Sequence, residues 1–340
     1  MSTPWLPTSQ PKKSPPCRGY ATGRYHQPVA DDLAVEVSGL TKRFGKLTVV
    51  DNVDLRVQRG SAFGYLGPNG AGKTTLIRIL LGLTRADAGT MRVLGFPIPE
   101  QRAAALARVG AIVDEPRFHG YLTGRENLRV LAAAREPAAH GRITPALKRV
   151  GLADKADMPV SKYSMGMRQR LGIAGCLLAD PELLVLDEPM NGLDPAGMLE
   201  LRQMIRSFVG EGRTVILSSH LLDEVEKTCD AVAIVDHGHV VVQGSIAEVT
   251  GNVTTNLLVR CTQREEAGAA ARMHRGVADI RLAPEGIVLV LGPGVDRWTA
   301  AAEVNRMLVE RGVWVYGLES THASLEERFL EITSRLGSPA

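Results

Sequence analysis

Two hydrophobic periods alternate along this chain. Ser61-Ala-Phe-Gly-Tyr-Leu66 is a short, almost unbroken apolar run, which between turn residues reads as a strand buried on both faces. Thr75-Leu-Ile-Arg-Ile-Leu-Leu81 then carries apolar side chains at helical spacing. The same alternation returns later. Leu183-Leu-Val-Leu186 and Arg213-Thr-Val-Ile-Leu-Ser218 predict core strands, and Ser219 to Lys227 the helix after the second. Ala231-Val-Ala-Ile-Val235 and Val240-Val-Val-Gln243 predict a hairpin turning at Asp236-His-Gly-His239. From about 101 to 162 the pattern is helical, with Gln101 to Arg108 and then Asn127 to Arg135, the latter opened by the capping box Thr123-Gly-Arg-Glu126. Strands alternating with helices demand a mostly parallel sheet covered by helices.

After residue 250 the pattern changes. Thr254 to Thr262 alternates like a strand, and Arg264 to Arg275 is Ala-rich and helical. Val277 to Leu282 and Ile287 to Leu291 form a hairpin around Pro284-Glu-Gly286. Trp298 to Arg311 is a helix and Val313 to Leu318 a strand, and Ala323 to Ile332 is a closing helix. The order βαββαβ is that of a ferredoxin-like α+β fold. Residues 1 to about 30 show no period: Pro4, Pro7, Pro11, Pro15, Pro16 and Pro28 interrupt them, Lys12, Lys13, Arg18 and Arg24 charge them, and the segment reads as disordered. The expected organisation is a leader at 1–32, an α/β unit at 33–250 with a helical subdomain at about 101–162, and an accessory unit at 251–340.

Chemistry enters between the first buried strand and its helix. Residues Gly67-Pro68-Asn69-Gly70-Ala71-Gly72-Lys73-Thr74-Thr75 complete the phosphate-loop pattern G-x-x-x-x-G-K-[ST]. Glycines let backbone N–H groups turn inward on phosphate, and the helix start adds partial positive charge. Lys73 neutralises the outer phosphates and the Thr74 hydroxyl ligates Mg²⁺. A second strand, Leu183 to Leu186, delivers Asp187 and Glu188 at its C-terminal end. One carboxylate suits Mg²⁺, directly or through water, and the other suits a water nucleophile as general base.

Three more motifs follow in order with these: Ser161-Lys-Tyr-Ser164-Met-Gly166-Met-Arg-Gln-Arg-Leu171, Asn191-Gly-Leu-Asp194, and Ser218-Ser-His220. The ordered set, over about residues 33 to 247, resembles the nucleotide-binding subunit of an ABC transporter. The fold that the resemblance implies is a P-loop NTPase of the ABC ATPase type, with a mixed sheet core and a helical subdomain. It implies roles as well. Phe44 stacks on adenine. Asp187 serves Mg²⁺, Glu188 is the catalytic base, and His220 holds the γ-phosphate and attacking water. Ser164 and Gly166, in the signature, complete the ATP site of an opposite subunit, and the D-loop residue Asp194 bridges the two. Phe118 and Tyr121, before the capped helix, lie where the family meets its membrane partner; local packing of two aromatics is the alternative.

Two positions depart from the common pattern. Met165 and Met167 replace a Gly and the Gln of the signature, a variant similar to drug and antibiotic exporters, as is the closing helix. Asp114 stands where a Gln is usual; an acid there still reaches Mg²⁺ or the water, but it is shorter and charged. The implied protein is an ATP-hydrolysing subunit at the cytoplasmic face of the membrane. It pairs with a second ATPase subunit, expected as a homodimer, around two Mg-ATP. A multi-span permease on a separate chain exports the cargo, expected to be a drug, antibiotic or other hydrophobic small molecule.

Composition narrows the alternatives. In 340 residues no run reaches the roughly 18 apolar residues of a membrane span, so a pore requires another chain. A net charge of +3 is too small to argue for a nucleic-acid partner. Cys17, Cys176, Cys229 and Cys261 lie far apart and read as idle thiols. The rival class, soluble ATP-driven clamps acting on DNA or ribosomes, usually inserts a long coiled coil or carries two ATPase halves; this chain has one phosphate loop and no long heptad run.

Overall fold

The computed structural model describes residues 32–250, 255–292, 294–322 and 324–336. The expected leader therefore lies outside the described residues except for Asp32, as do Thr254 and Ala323.

The chain enters as an antiparallel pair, β1 (Leu33–Phe44) and β2 (Leu47–Gln58). β3 (Ala62–Leu66) follows, all five residues buried, and leads through the glycine loop into α1 (Lys73–Leu80). β4 (Ala88–Val93) and β5 (Phe96–Ile98) join the first pair in a sheet ordered β2-β1-β4-β5. Next come α2 (Arg102–Leu106), β6 (Val109–Ile112), α3 (Gly124–Ala133), α4 (Ile143–Arg149) and α5 (Met165–Leu177). The chain then alternates through β7 (Leu183–Leu186), α6 (Pro195–Gly210), β8 (Thr214–Ser219), α7 (Leu222–Thr228), β9 (Ala231–Asp236), β10 (His239–Ser245) and α8 (Ile246–Thr250).

The central sheet runs β10-β9-β3-β8-β7-β6, parallel from β9 to β6 with β10 antiparallel at its edge. It is the mixed α/β core the sequence predicts. Side chains alternate across each strand and build two cores. Phe63, Tyr65, Val185 and Ile216 face α1 and the antiparallel sheet; Leu66, Leu184, Leu186 and Leu217 face α5, α6 and α7.

One local expectation needs correction. The stretch 101–162 is not helical throughout: it holds β6, which pairs parallel with β7, and a loop from there to α3; a four-residue apolar run is too short for its period to tell strand from helix. The signature helix starts at Met165, with Ser164 as its N-cap accepting the Met167 N–H at 3.2 Å. Ser218 falls in the core strand as read: it is the penultimate residue of β8 and wholly buried. The capping box at Thr123 and Glu126 forms as read. Of the two loop aromatics, Phe118 packs against the larger core while Tyr121 stays 78% exposed beside His119, so they do not pack as a pair.

The tail forms β11 (Thr255–Cys261), α9 (Arg264–Ala271), β12 (Val277–Ala283), β13 (Gly286–Leu291), α10 (Arg297–Glu310) and β14 (Val315–His322). Its sheet is ordered β12-β13-β11-β14, antiparallel throughout, which is the split βαβ connectivity of a ferredoxin-like unit. The last helix, α11 (Leu325–Leu336), returns to the first unit: Leu325 is fully buried in the larger core, and its N–H donates to Glu226 of α7 at 2.9 Å. Burial pushes the Cys176 thiol up to about 12 and raises Cys229 further, so both are inert thiols in this core.

Candidate ATP site

In an open parallel sheet, ligands bind beyond the carboxyl ends of the strands. Here β3, β8 and β7 are neighbours, so the glycine loop, His220, and the Asp187–Glu188 pair emerge side by side. No local pattern encodes that adjacency; the strand pairing creates it.

The loop is built on glycine for steric reasons. A Cβ on Gly67 would lie 2.4 Å from the Val235 carbonyl oxygen. Gly72 has φ +93° and a Cβ there would lie 2.4 Å from the Val49 carbonyl oxygen. Gly72 is also the N-cap of α1, so the free amides of the helix start open onto the loop. Pro68, Asn69 and Gly70 are exposed at the tip, Ala71 is buried beneath, and Thr74 and Thr75 are half-buried in the first turn.

Lys73 is buried, and its ammonium donates to the carbonyls of Gly67 at 2.7 Å and Pro68 at 3.2 Å. It also pairs with Glu188 Oε1 at 3.1 Å. The other oxygen of Glu188 meets His220 Nδ1 at 3.0 Å. The lysine, the acid and the histidine named from the sequence therefore form one connected chain. Glu188 holds φ +45°, an uncommon value for a non-glycine residue, which turns its carboxylate back over the loop.

Ser218, near the end of β8, links the two carboxylate residues. Its hydroxyl donates to Asp187 Oδ1 at 2.5 Å and accepts the Glu188 N–H at 2.9 Å. It thereby fixes the peptide between the two carboxylates. The other oxygen, Asp187 Oδ2, is buried with no hydrogen-bond partner. An orphaned anionic oxygen costs free energy unless a cation or water meets it, so this donor set fits a hydrated divalent ion. Ser218→Ala leaves Asp187 Oδ1 and the Glu188 N–H without that partner. The expected loss is about 1–3 kcal/mol of stability, read from thermal unfolding, with reduced ATPase turnover.

The remaining candidates are placed less centrally. Phe44 ends β1, 53% exposed, with the Lys42 ammonium 5.3 Å from its ring centre. Asp114, at φ +59°, pairs with Arg78 at 2.7 Å, one helical turn beyond Thr74. Its carboxylate is thus turned to a guanidinium on α1. Ser164 is exposed and Gly166 half-buried at the start of α5, and Met165 lays its sulfur over Gly192 of the D-loop. Asp194 caps α6, accepting the Gly197 N–H at 3.1 Å. His237 and His239 fall at the β9–β10 turn, facing Asp236 and Asp51.

Similarity to known proteins agrees with this geometry. A family profile described as ABC transporter matches residues 50–191. The daunorubicin resistance ATP-binding protein DrrA3 of Streptomyces coeruleorubidus is 37% identical, covering 89% of this chain and 96% of that one. The bacitracin transport ATP-binding protein BcrA of Bacillus licheniformis is 35% identical, covering 88% and 96%. Among solved structures, cbiO1 from Clostridium perfringens, part of the ABC transporter complex cbiONQ, superposes with a TM-score of 0.60 at 28% identity, covering 64% of this chain and 90% of that one. With the phosphate loop, the paired carboxylates and His220 meeting at one site, this chain belongs to the ABC transporter ATP-binding proteins and is an ATP-hydrolysing subunit.

Proposed function

We propose that this chain works in pairs at the cytoplasmic membrane face, closing on two Mg-ATP to drive export of a hydrophobic small molecule through a separate permease. The carrying observation is the division of the site. Lys73, Glu188 and His220 are joined within one chain, whereas the signature Ser164 and the start of α5 stand at the surface. A helix N-terminus with free amides is an anion site, so a second copy's α5 supplies the missing wall. Asp194 then meets the partner from the adjacent loop. The relatives named for daunorubicin resistance and bacitracin transport support the cargo class. The tail, residues 251–340, serves as an accessory unit.

The residues divide the chemistry. Loop amides and Lys73 hold the phosphates while Phe44 receives the base. Mg²⁺, at Thr74 and Asp187, would neutralise phosphate charge. Glu188 accepts the proton of the attacking water, and His220 holds that water and Glu188 in line. Positioning and charge stabilisation provide most of the acceleration. Among the described residues no helix is long and apolar enough to cross a membrane, so the path for cargo belongs to a partner. Gentle solubilisation of membranes and capture of the tagged protein should bring down a multi-span protein in stoichiometric amount. Recovery from the soluble fraction alone, or with ribosomes or DNA-binding factors, would overturn the reading.

Asp114 is expected to tune turnover rather than affinity. Asp114→Gln removes the charge facing Arg78 and restores the longer amide. ATP affinity should stay within about twofold, since an exposed ion pair contributes little, while kcat should shift severalfold. An unchanged kcat would remove Asp114 from the catalytic cycle.

A further inference from the structure

The adenine platform has a support that no motif names. Phe44 and Leu47 face each other across the turn between β1 and β2, and both are largely exposed. The tip lacks packing of its own, yet a stacking surface needs a fixed ring. Asp87, just before β4, supplies the fixing. Its Oδ2 accepts the Arg43 N–H at 2.6 Å, and its Oδ1 pairs with the Lys42 ammonium at 3.0 Å. Its own N–H donates to the Thr41 carbonyl at 2.8 Å. Three consecutive residues before Phe44 are thus tied to one aspartate.

We propose that Asp87 is a positioning residue for nucleotide binding: it fixes the Phe44 ring and, through Lys42, dedicates one ring face to a cation and the other to adenine. The inference rests on the assignment of Phe44 to the base. Lys42 reaches the ring centre at 5.3 Å, within cation–π range, while Asp87 holds the same ammonium. A flat base then has one open face. The Arg43 N–H, and secondarily Lys42, hold the Asp87 carboxyl below the usual carboxylate range, so the tether is charged at neutral pH.

The test is a double-mutant cycle on the full chain with Asp87→Ala, Phe44→Ala and the pair, titrated with Mg-ATP and with inorganic tripolyphosphate. Base stacking is expected to account for a loss of about tenfold or more on Phe44→Ala, and Asp87→Ala should give about 5- to 10-fold. Tripolyphosphate, which has no base, should bind all variants alike. The pair should be no weaker than Phe44→Ala alone, because Asp87 acts through the ring. Losses that multiply, or an equal loss for tripolyphosphate, would overturn the positioning role. A normal Phe44→Ala loss beside a silent Asp87→Ala would overturn the tether only. A silent Phe44→Ala would overturn the stacking assignment and the role of Asp87 with it.

Discussion

Glu188→Gln is expected to lower ATP turnover by about a hundredfold or more while leaving ATP bound. The reason is in the position of its carboxylate. One oxygen lies on Lys73 and the other on His220. A Gln of the same length keeps one acceptor oxygen toward these partners but cannot take a proton from water. It also removes the negative charge facing Lys73, which frees the ammonium for phosphate. Binding should therefore hold or tighten as chemistry stops. Phosphate release measures the first effect. Size-exclusion chromatography in ATP measures the second, where the variant should run as a nucleotide-trapped dimer. Turnover near wild type would remove Glu188 as the base, and a monomer in ATP would count against the two-subunit clamp.

The second large effect is on affinity. Lys73→Ala should weaken ATP binding by about a hundredfold or more, since charge-assisted contacts to phosphate are each worth roughly 1.5–3 kcal/mol and Lys73 makes them from a buried position. The cost to folding should be smaller. Glu188 keeps His220, and the carbonyls of Gly67 and Pro68 lie beside an exposed loop tip that water reaches. Titration calorimetry with Mg-ATP reads the affinity, and a thermal melt of the apo-protein separates it from unfolding. Wild-type affinity in a folded variant would remove Lys73 from the phosphate site.

Much of the site was legible because its constraints are local. A loop that wraps phosphate needs glycine where no Cβ fits, and Gly67 and Gly72 both sit within 2.4 Å of a carbonyl at the Cβ position. A strand buried on both faces needs an apolar run, and β3 and β7 have one. Ser218 was legible only in part. Its place at the end of a core strand could be read, but only pairing β8 beside β7 brings its hydroxyl to Asp187. Asp87 was silent for the same reason: its partners Lys42 and Arg43 lie more than forty residues earlier, across a strand pair.

The sequence alone determined the reaction's reagents, the alternation of strands and helices, and the separate βαββαβ tail, because these rest on residue type, short spacing and period. Tertiary structure decided the strand order β3-β8-β7, the chain of contacts from Lys73 through Glu188 to His220, and the return of α11 onto α7. Those depend on hydrogen bonds and packing between segments far apart in the chain, and no local pattern of side chains carries that information.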